Sequence, residues 1–595
     1  MLRNIFLAII LVSGVSAFAQ NDLLARNYME QGEYDKAVSV YESLLKQAPQ
    51  TLDYITGLVA AYQQTEAYQK ADSLLLEAIK NTANKPVFEV ELGYNHQLQG
   101  DDARAQGLYN KVIAGIVENP GYANGVARTF QKYNLLEQAI KSYQTAQEVN
   151  PAYNFDPLLA PLYGELGNFT EMFNTYIKLI QRDERYETYA QNSISRFITD
   201  DKENVANQTL RKVLLTQMQE NPDLLFNRML SWLFIQQREY DKAFIQEKAI
   251  AKRGGIFNGI STLAIVAEQN GEVSLALEIL NYLISETPDE EQRMFAQQKY
   301  LQLKIKSATD EQLQELNNDY IALLEKYGKS AQTITIQADY AHFLAFRFAK
   351  KEEATNLLEE ALNLPLNSFQ EARIKMELAD ILVLEERFNA ALIYYSQIQK
   401  KLKDNVIAQE ARFKVAKTSY YKGDFEWAKT QLKVLKSSAE QLIANDAQDL
   451  YLLITDNTVN SKDSTQSALK TYALADLRSY QNREQDAITI YSRILTEFAG
   501  EKIEDEALLA QAILFENRKE FQKAASNYAA IIENHGSDIL ADNAHYRLAN
   551  LYSGPLNLPE EAKEHYEQII FNFADSIFYV DAQQKYRRLR GDAIN

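Results

Sequence analysis

"GEYDKA", residues 32–37, is the stretch whose reading decides the fold. It returns nearly intact as "REYDKA" at 238–243, and more loosely as "GNFTEM" (167–172), "GDFEWA" (423–428) and "KEFQKA" (519–524). With the last residue of each phrase as an anchor, Ala37, Ala71, Ala105 and Ala139 fall 34 residues apart. Met172, Ala243, Ala276, Ala354, Ala391, Ala428, Ala487, Ala524 and Ala562 continue the series less regularly. Four residues after each anchor stands Tyr or Leu, as at Tyr41, Leu75, Tyr109 and Tyr143; Glu247 alone departs. A spacing of four puts anchor and large side chain on one helical face.

Twelve residues before the anchor the chain is usually small, as at Ala25, Gly93, Ala127 and Ala160, with Val59, His342 and Asn550 as exceptions. Two small positions separated by a Gly or polar break fit two antiparallel helices that touch where both side chains are small. Gly32, Gly100, Gly167, Gly271 and Gly423 can close the first helix in a left-handed turn. Pro49, Pro151 and Pro288, twelve after their anchors, stop the second. The phrase is the turn and first contact of a helical hairpin, rebuilt at each repeat.

This pattern of small residue, Gly-aromatic turn, Ala, aromatic and terminal Pro resembles the tetratricopeptide repeat (TPR) proteins. Residues 20–180 match its 34-residue period; from Ala354 on the step is mostly 37 or 38. Stretches such as "DILADNAHYRLANLY" (538–552) are similar to the longer hairpins of envelope TPR proteins of the BamD type. "DAQQKYRRLRGD" (581–592) looks like the tail of exported TPR proteins of Bacteroidota. The resemblance implies an all-α, right-handed superhelical solenoid that binds proteins, and no reaction. At roughly 36 residues per repeat the chain would hold about 14–16 hairpins. Anchors are degenerate at 181–221 and 291–330, and a polar insertion near 455–466 stretches one step to 59 residues. Two lobes are expected, 20–330 and 331–595.

The first 19 residues read as a leader outside the fold. Arg3 gives a positive start, Ile5 to Val12 an apolar run, and Ala17 and Ala19 a small-x-small cleavage site before Gln20. That run is too short to span a bilayer, and no later segment approaches 18 uninterrupted apolar residues. The cleaved chain is expected to be periplasmic or secreted, without membrane insertion. It has no cysteine, which excludes lipid modification at a cysteine, disulfides and thiolate chemistry. A net charge of −19 on 595 residues disfavours nucleic acid, which binds through displaced counterions.

No HExxH, Gly-rich phosphate loop or GxSxG is present, so no catalytic residue and no cofactor is assigned. His545 and His565 would lie on neighbouring helices, but no well-spaced third ligand makes them a metal site. His342 reads as a packing histidine. The leading expectation is therefore a non-catalytic scaffold or adaptor for envelope proteins. The alternative is an accessory that captures clients for outer-membrane assembly or secretion; a cell-wall hydrolase or carbohydrate binder is disfavoured.

The resemblance also implies where a peptide would lie. The family's clamp for a C-terminal carboxylate uses Lys and Asn fifteen and eleven residues before the anchor. Here those pairs are Asp22/Arg26, Thr56/Ala60, Val90/Tyr94 and Asn124/Arg128, so that specificity does not carry over. Eight before the anchor stand Gln63, Gln97 and Gln131. They form a candidate ladder of amides for an extended backbone on the concave face, flanked by Tyr94, Asn124 and Arg128. Any soluble groove must also be polar, so the same residues have a purely solvating reading.

Overall fold

The computed structural model describes residues 21–82, 85–403, 405–436, 441–458 and 466–592. The expected leader with its expected cleavage site, and most of the polar insertion, lie outside the described residues. Among those described, 79% of the chain is helical, with 32 helices in consecutive packed pairs and no strand. This is the all-α TPR-like solenoid of helical hairpins that the repeat arithmetic predicts. Contacts divide the chain into two compact units, 1–279 and 280–595; the lobe boundary expected at 330 lies inside the second.

Each hairpin is built on one backbone device. The residue five before every one of the thirteen anchors has a positive φ: Gly at five turns, and Glu66, Asn134, Arg238, Ala349, Glu386, Asn482, Lys519 and Asn557 at the other eight. The next residue donates its N–H back across the turn, as Glu33 N does to Tyr28 O (2.9 Å) and Asp101 N to His96 O (3.0 Å). The same residue's carbonyl then accepts from the anchor, as Glu33 O does from Ala37 N (3.1 Å). One residue thus closes the first helix and opens the second, which satisfies end groups that would otherwise be unpaired.

The anchors pack where two helices touch. All thirteen are buried, as are the large residues four later, including Tyr41, Tyr109, Tyr143, Tyr395, Tyr528 and Tyr566. Their rings need space from an adjacent helix: a Cβ on Gly57, in the helix after Tyr41, would sit 2.5 Å from the Tyr41 ring, and one on Gly93, in the helix before Tyr109, 2.5 Å from the Tyr109 ring. A buried aromatic removes about 150–250 Å² from water, worth at most roughly 4–6 kcal/mol at ~25 cal/mol per Å². Repetition of that contact holds each hairpin to its neighbours.

The exceptions have physical reasons. At Lys350 and Leu558 the returning bond reaches one residue farther, to Leu344 O (2.8 Å) and Tyr552 O (2.7 Å). The turn is one residue longer there, so the buried small residue shifts to Ala341 and Ala549. His342 is accordingly not a packing histidine: its side chain is 54% exposed and meets Glu377 Oε1 at 2.9 Å. It also stacks on Phe346 with ring centroids 4.3 Å apart. Glu247, standing where an aromatic is usual, is buried. It accepts from Ser231 Oγ at 2.5 Å, and Gly259 leaves room for its carboxylate. Burial pushes the Glu247 carboxyl up, partly offset by Ser231.

The two degenerate stretches differ: in the first, Val205–Glu220 packs on Phe169–Arg182 and Leu224–Gln236 and not on the short Glu187–Ile194, while the second is a hairpin of Glu290–Ser307 with Leu313–Tyr327. The second is joined through a short 3-10 segment, Asp310–Gln312, so the repeated turn phrase has no place in it. The 59-residue step holds an extra helix, Gln441–Asp456, ahead of the pair Ser467–Tyr480 and Glu484–Glu497.

In the second unit the first helices of successive hairpins converge. Tyr480 Oη donates to Asp380 O (3.1 Å), Gln481 Nε2 to Leu384 O (3.0 Å) and Asn482 Nδ2 to Phe346 O (2.9 Å). These bonds tie one hairpin turn to helix ends up to 136 residues earlier. Beneath them Asp380 accepts from Tyr395 Oη and Lys414 Nζ, each at 2.5 Å.

Candidate functional site

The predicted peptide face draws on three hairpins of the first unit: Leu52–Gln64 with Tyr68–Asn81, Lys85–Leu98 with Asp102–Gly115, and Ala123–Lys132 with Leu136–Val149. The three glutamines occupy equivalent positions at the ends of the first helices, yet their surroundings differ. Gln97 is half-buried and accepts from Tyr109 Oη at 2.9 Å. Gln131, also half-buried, bonds the Tyr143 hydroxyl, which in turn meets Asn124 Oδ1 at 3.3 Å. Gln63 is buried, 7% exposed, and its Nε2 has no partner.

One difference accounts for this. The residue twelve after Gln97 and Gln131 is Tyr109 or Tyr143, whose buried hydroxyl needs a partner; twelve after Gln63 stands Leu75. The amide eight before an anchor and the tyrosine four after it form a pair within the hairpin. Glu516 and Tyr528 repeat it in the second unit. Sequence reasoning took the glutamines as a row and missed this pairing, although its signal, Gln or Glu twelve residues before a buried Tyr, was present.

The outward part of the face is smaller and mixed. Asn124 and Arg128 are exposed, one helical turn apart. Arg128 has no carboxylate partner among the described residues. Tyr94 stacks on Tyr133, with ring centroids 3.6 Å apart and planes 17° apart. Lys132 Nζ lies 4.7 Å from the Tyr133 ring. Behind them Glu91, only 1% exposed, accepts from Lys132 Nζ at 3.1 Å and from the Tyr133 hydroxyl. Burial first and the Glu91 charge second drive the Tyr133 hydroxyl far above its ordinary range, so it stays a neutral donor.

These groups supply a guanidinium, a carboxamide and a stacked aromatic pair, the means of holding carboxylates, backbone amides and apolar side chains of a polypeptide. Elsewhere His545 Nδ1 and His565 Nδ1 lie 3.0 Å apart. Among the described residues no group of three His, Cys, Asp or Glu side chains could hold a metal, and no helix is long and apolar enough to cross a membrane.

A family model and one relative are similar to this chain in sequence. The tetratricopeptide repeat family matches residues 22–51. A TPR repeat-containing protein, MJ1428, of Methanocaldococcus jannaschii is 24% identical over 481 residues, which are 79% of this chain and 74% of that protein. Among solved structures, Naa15/Naa10 bound to HypK-THB aligns with TM-score 0.28 and 11% identity, covering 97% of this chain and 94% of the other. The Cut9–Hcn1 hetero-tetramer of the APC/C aligns with TM-score 0.25 and 15% identity, at 95% of each chain. The family match and the archaeal relative support a TPR protein, and TPR repeats imply a protein-interaction scaffold.

Proposed function

We propose that the chain is a non-catalytic TPR scaffold or adaptor that holds proteins in the bacterial cell envelope, reached by export and cleavage after Ala19. The observation that carries the binding role is the outward face of the third and fourth hairpins. There an unmatched Arg128 and an exposed Asn124 belong to the same face as the Tyr94–Tyr133 stack, while Gln97 and Gln131 hold the tyrosines beneath. The envelope placement rests on Arg3, the apolar run Ile5 to Val12 and the Ala17/Ala19 pair.

A pull-down of the exported chain from envelope extract, with Asn124→Ala/Arg128→Ala alongside, tests the binding role. Two lost hydrogen bonds at about 1 kcal/mol each weaken capture about thirtyfold. An unchanged partner set on the variant would overturn this face as the contact. Partners that are outer-membrane proteins in transit would turn the reading to an assembly or secretion accessory. Mass spectrometry of the mature protein tests placement: an N-terminus at Gln20 is expected, and an intact Met1 refutes it.

A further inference from the structure

A second surface of the first unit is basic although the chain as a whole is acidic. A cleft of about 530 Å³ runs between the exposed side of Val205–Glu220, the residues just before that helix, and the turn that opens Tyr240–Gly254. Lys202, Arg211, Lys212 and Lys242 line it against only Glu203 and Glu239. Both carboxylates are already engaged. Glu239 is held by Lys242 at 2.7 Å and Lys202 at 3.1 Å, and Glu203 accepts from Gln208 Nε2 at 2.9 Å.

Two cations are left over. Arg211 rests 5.5 Å from the Phe234 ring and has no carboxylate partner among the described residues; nor has Lys212. A chain with 81 acidic and 62 basic residues has abundant carboxylates to neutralise them, yet no carboxylate among the described residues pairs with either. The cleft also holds an unsatisfied acceptor. Gln237 lines it at 6% exposure, and its Oε1 has no hydrogen-bond partner. A buried acceptor left unpaired costs about 1–3 kcal/mol.

We infer that this cleft is a docking site for an acidic, extended peptide segment of a partner protein. The inference rests on the scaffold reading above but concerns a different surface, along Val205–Glu220. Such a segment supplies both missing kinds of group: side-chain carboxylates for Arg211 and Lys212, and a backbone N–H for Gln237 Oε1. From Gln208 to Gln219 the helix rises about 16 Å at ~1.5 Å per residue, room for about five extended residues at ~3.3 Å each. Leu215, exposed on the same wall, offers apolar contact along that length.

The probe is a six-residue glutamate peptide, acetylated and amidated at its ends, titrated onto the full chain by calorimetry, with six-glutamine and six-lysine peptides as controls. Binding of the glutamate peptide alone, falling as salt rises, supports the inference. So does a loss of at least tenfold in Arg211→Glu/Lys212→Glu, whose exposed positions leave the helical circular dichroism unchanged. A smaller loss in Gln237→Ala places the backbone. Unchanged binding in the charge-reversal variant overturns the site. So does capture of an acidic oligosaccharide, but not the peptide, through Arg211 and Lys212. Failure of the scaffold reading is distinct: the pull-down then yields no protein, although the cleft still holds the glutamate peptide.

Discussion

Changing Gly100 to Ala, and separately Ala349 to Gly, isolates the energy stored in the repeated turn. Both residues sit five before an anchor with positive φ, +79° at Gly100 and +56° at Ala349. A Cβ built on Gly100 meets nothing within 4 Å, so Gly100→Ala adds no clash and tests conformation alone. The left-handed region costs a residue with a Cβ about 1–2 kcal/mol. The loss of glycine's freedom in the unfolded chain returns about 0.4–1 kcal/mol. The net expectation is a local destabilisation of roughly 0.5–1 kcal/mol for Gly100→Ala. Ala349 is exposed, so its methyl contributes little packing, and Ala349→Gly should stabilise its hairpin by a similar amount. Native-state hydrogen exchange is the suitable assay, because a stack of repeats opens locally. The amides of Asp101 and Ala105 report the first variant, and those of Lys350 and Ala354 the second. Equal signs for the two substitutions, or faster exchange in Ala349→Gly, would refute the claim that turn geometry and not side-chain identity sets the strain.

Three further outcomes follow from the buried polar groups. Gln97→Leu strands the Tyr109 hydroxyl and should cost about 1–3 kcal/mol, most of it recovered when Tyr109→Phe is added; a denaturant-based double-mutant cycle measures this. The raised Glu247 carboxyl binds more protons folded than unfolded, so its contribution is full at low pH and lost as pH rises through its folded value. Glu247→Gln should therefore raise stability at pH 7 and change it little at pH 4, as read by thermal melts. His545 is lowered to about 4, by burial and then by His565, and His565 is lowered too. That stability is present above the ordinary histidine range near pH 6.5 and lost as pH falls towards 4. Exchange at Tyr566 should quicken across that window in the parent and not in His545→Asn/His565→Asn.

The anchors and their aromatic partners were legible because they obey a spacing that a helix converts directly into a shared face. The turns were half legible. Five glycines announced themselves, but Glu66, Arg238 and Lys519 adopt the same left-handed geometry, imposed by packing on either side and not by local preference. Of the candidate face, Asn124 and Arg128 are exposed, while Gln97 and Gln131 are tied to tyrosines twelve residues on and Gln63, with Leu75 there instead, is buried without a partner for its amide nitrogen. A period found by aligning anchors shows which residues recur, and not which recurrences serve one another. The basic cleft left no trace in the repeat, since Arg211, Lys212 and Gln237 come from a stretch whose anchors are degenerate and from the turn after it. Their meeting depends on how Val205–Glu220 packs against the hairpin that follows it.

The bonds from Tyr480, Gln481 and Asn482 to helix ends as far back as Phe346 have a mechanical consequence. Hairpins joined only to the next in line extend under tension as a spring does, each giving a little. A segment whose distant turns are tied together cannot lengthen until those ties break at once. Pulled in a single-molecule trap, residues 334–482 should resist as one block and then yield abruptly. The same ties limit what duplication can do to this stretch: a hairpin inserted between Phe346 and Asn482 would carry the donors out of reach of their carbonyls.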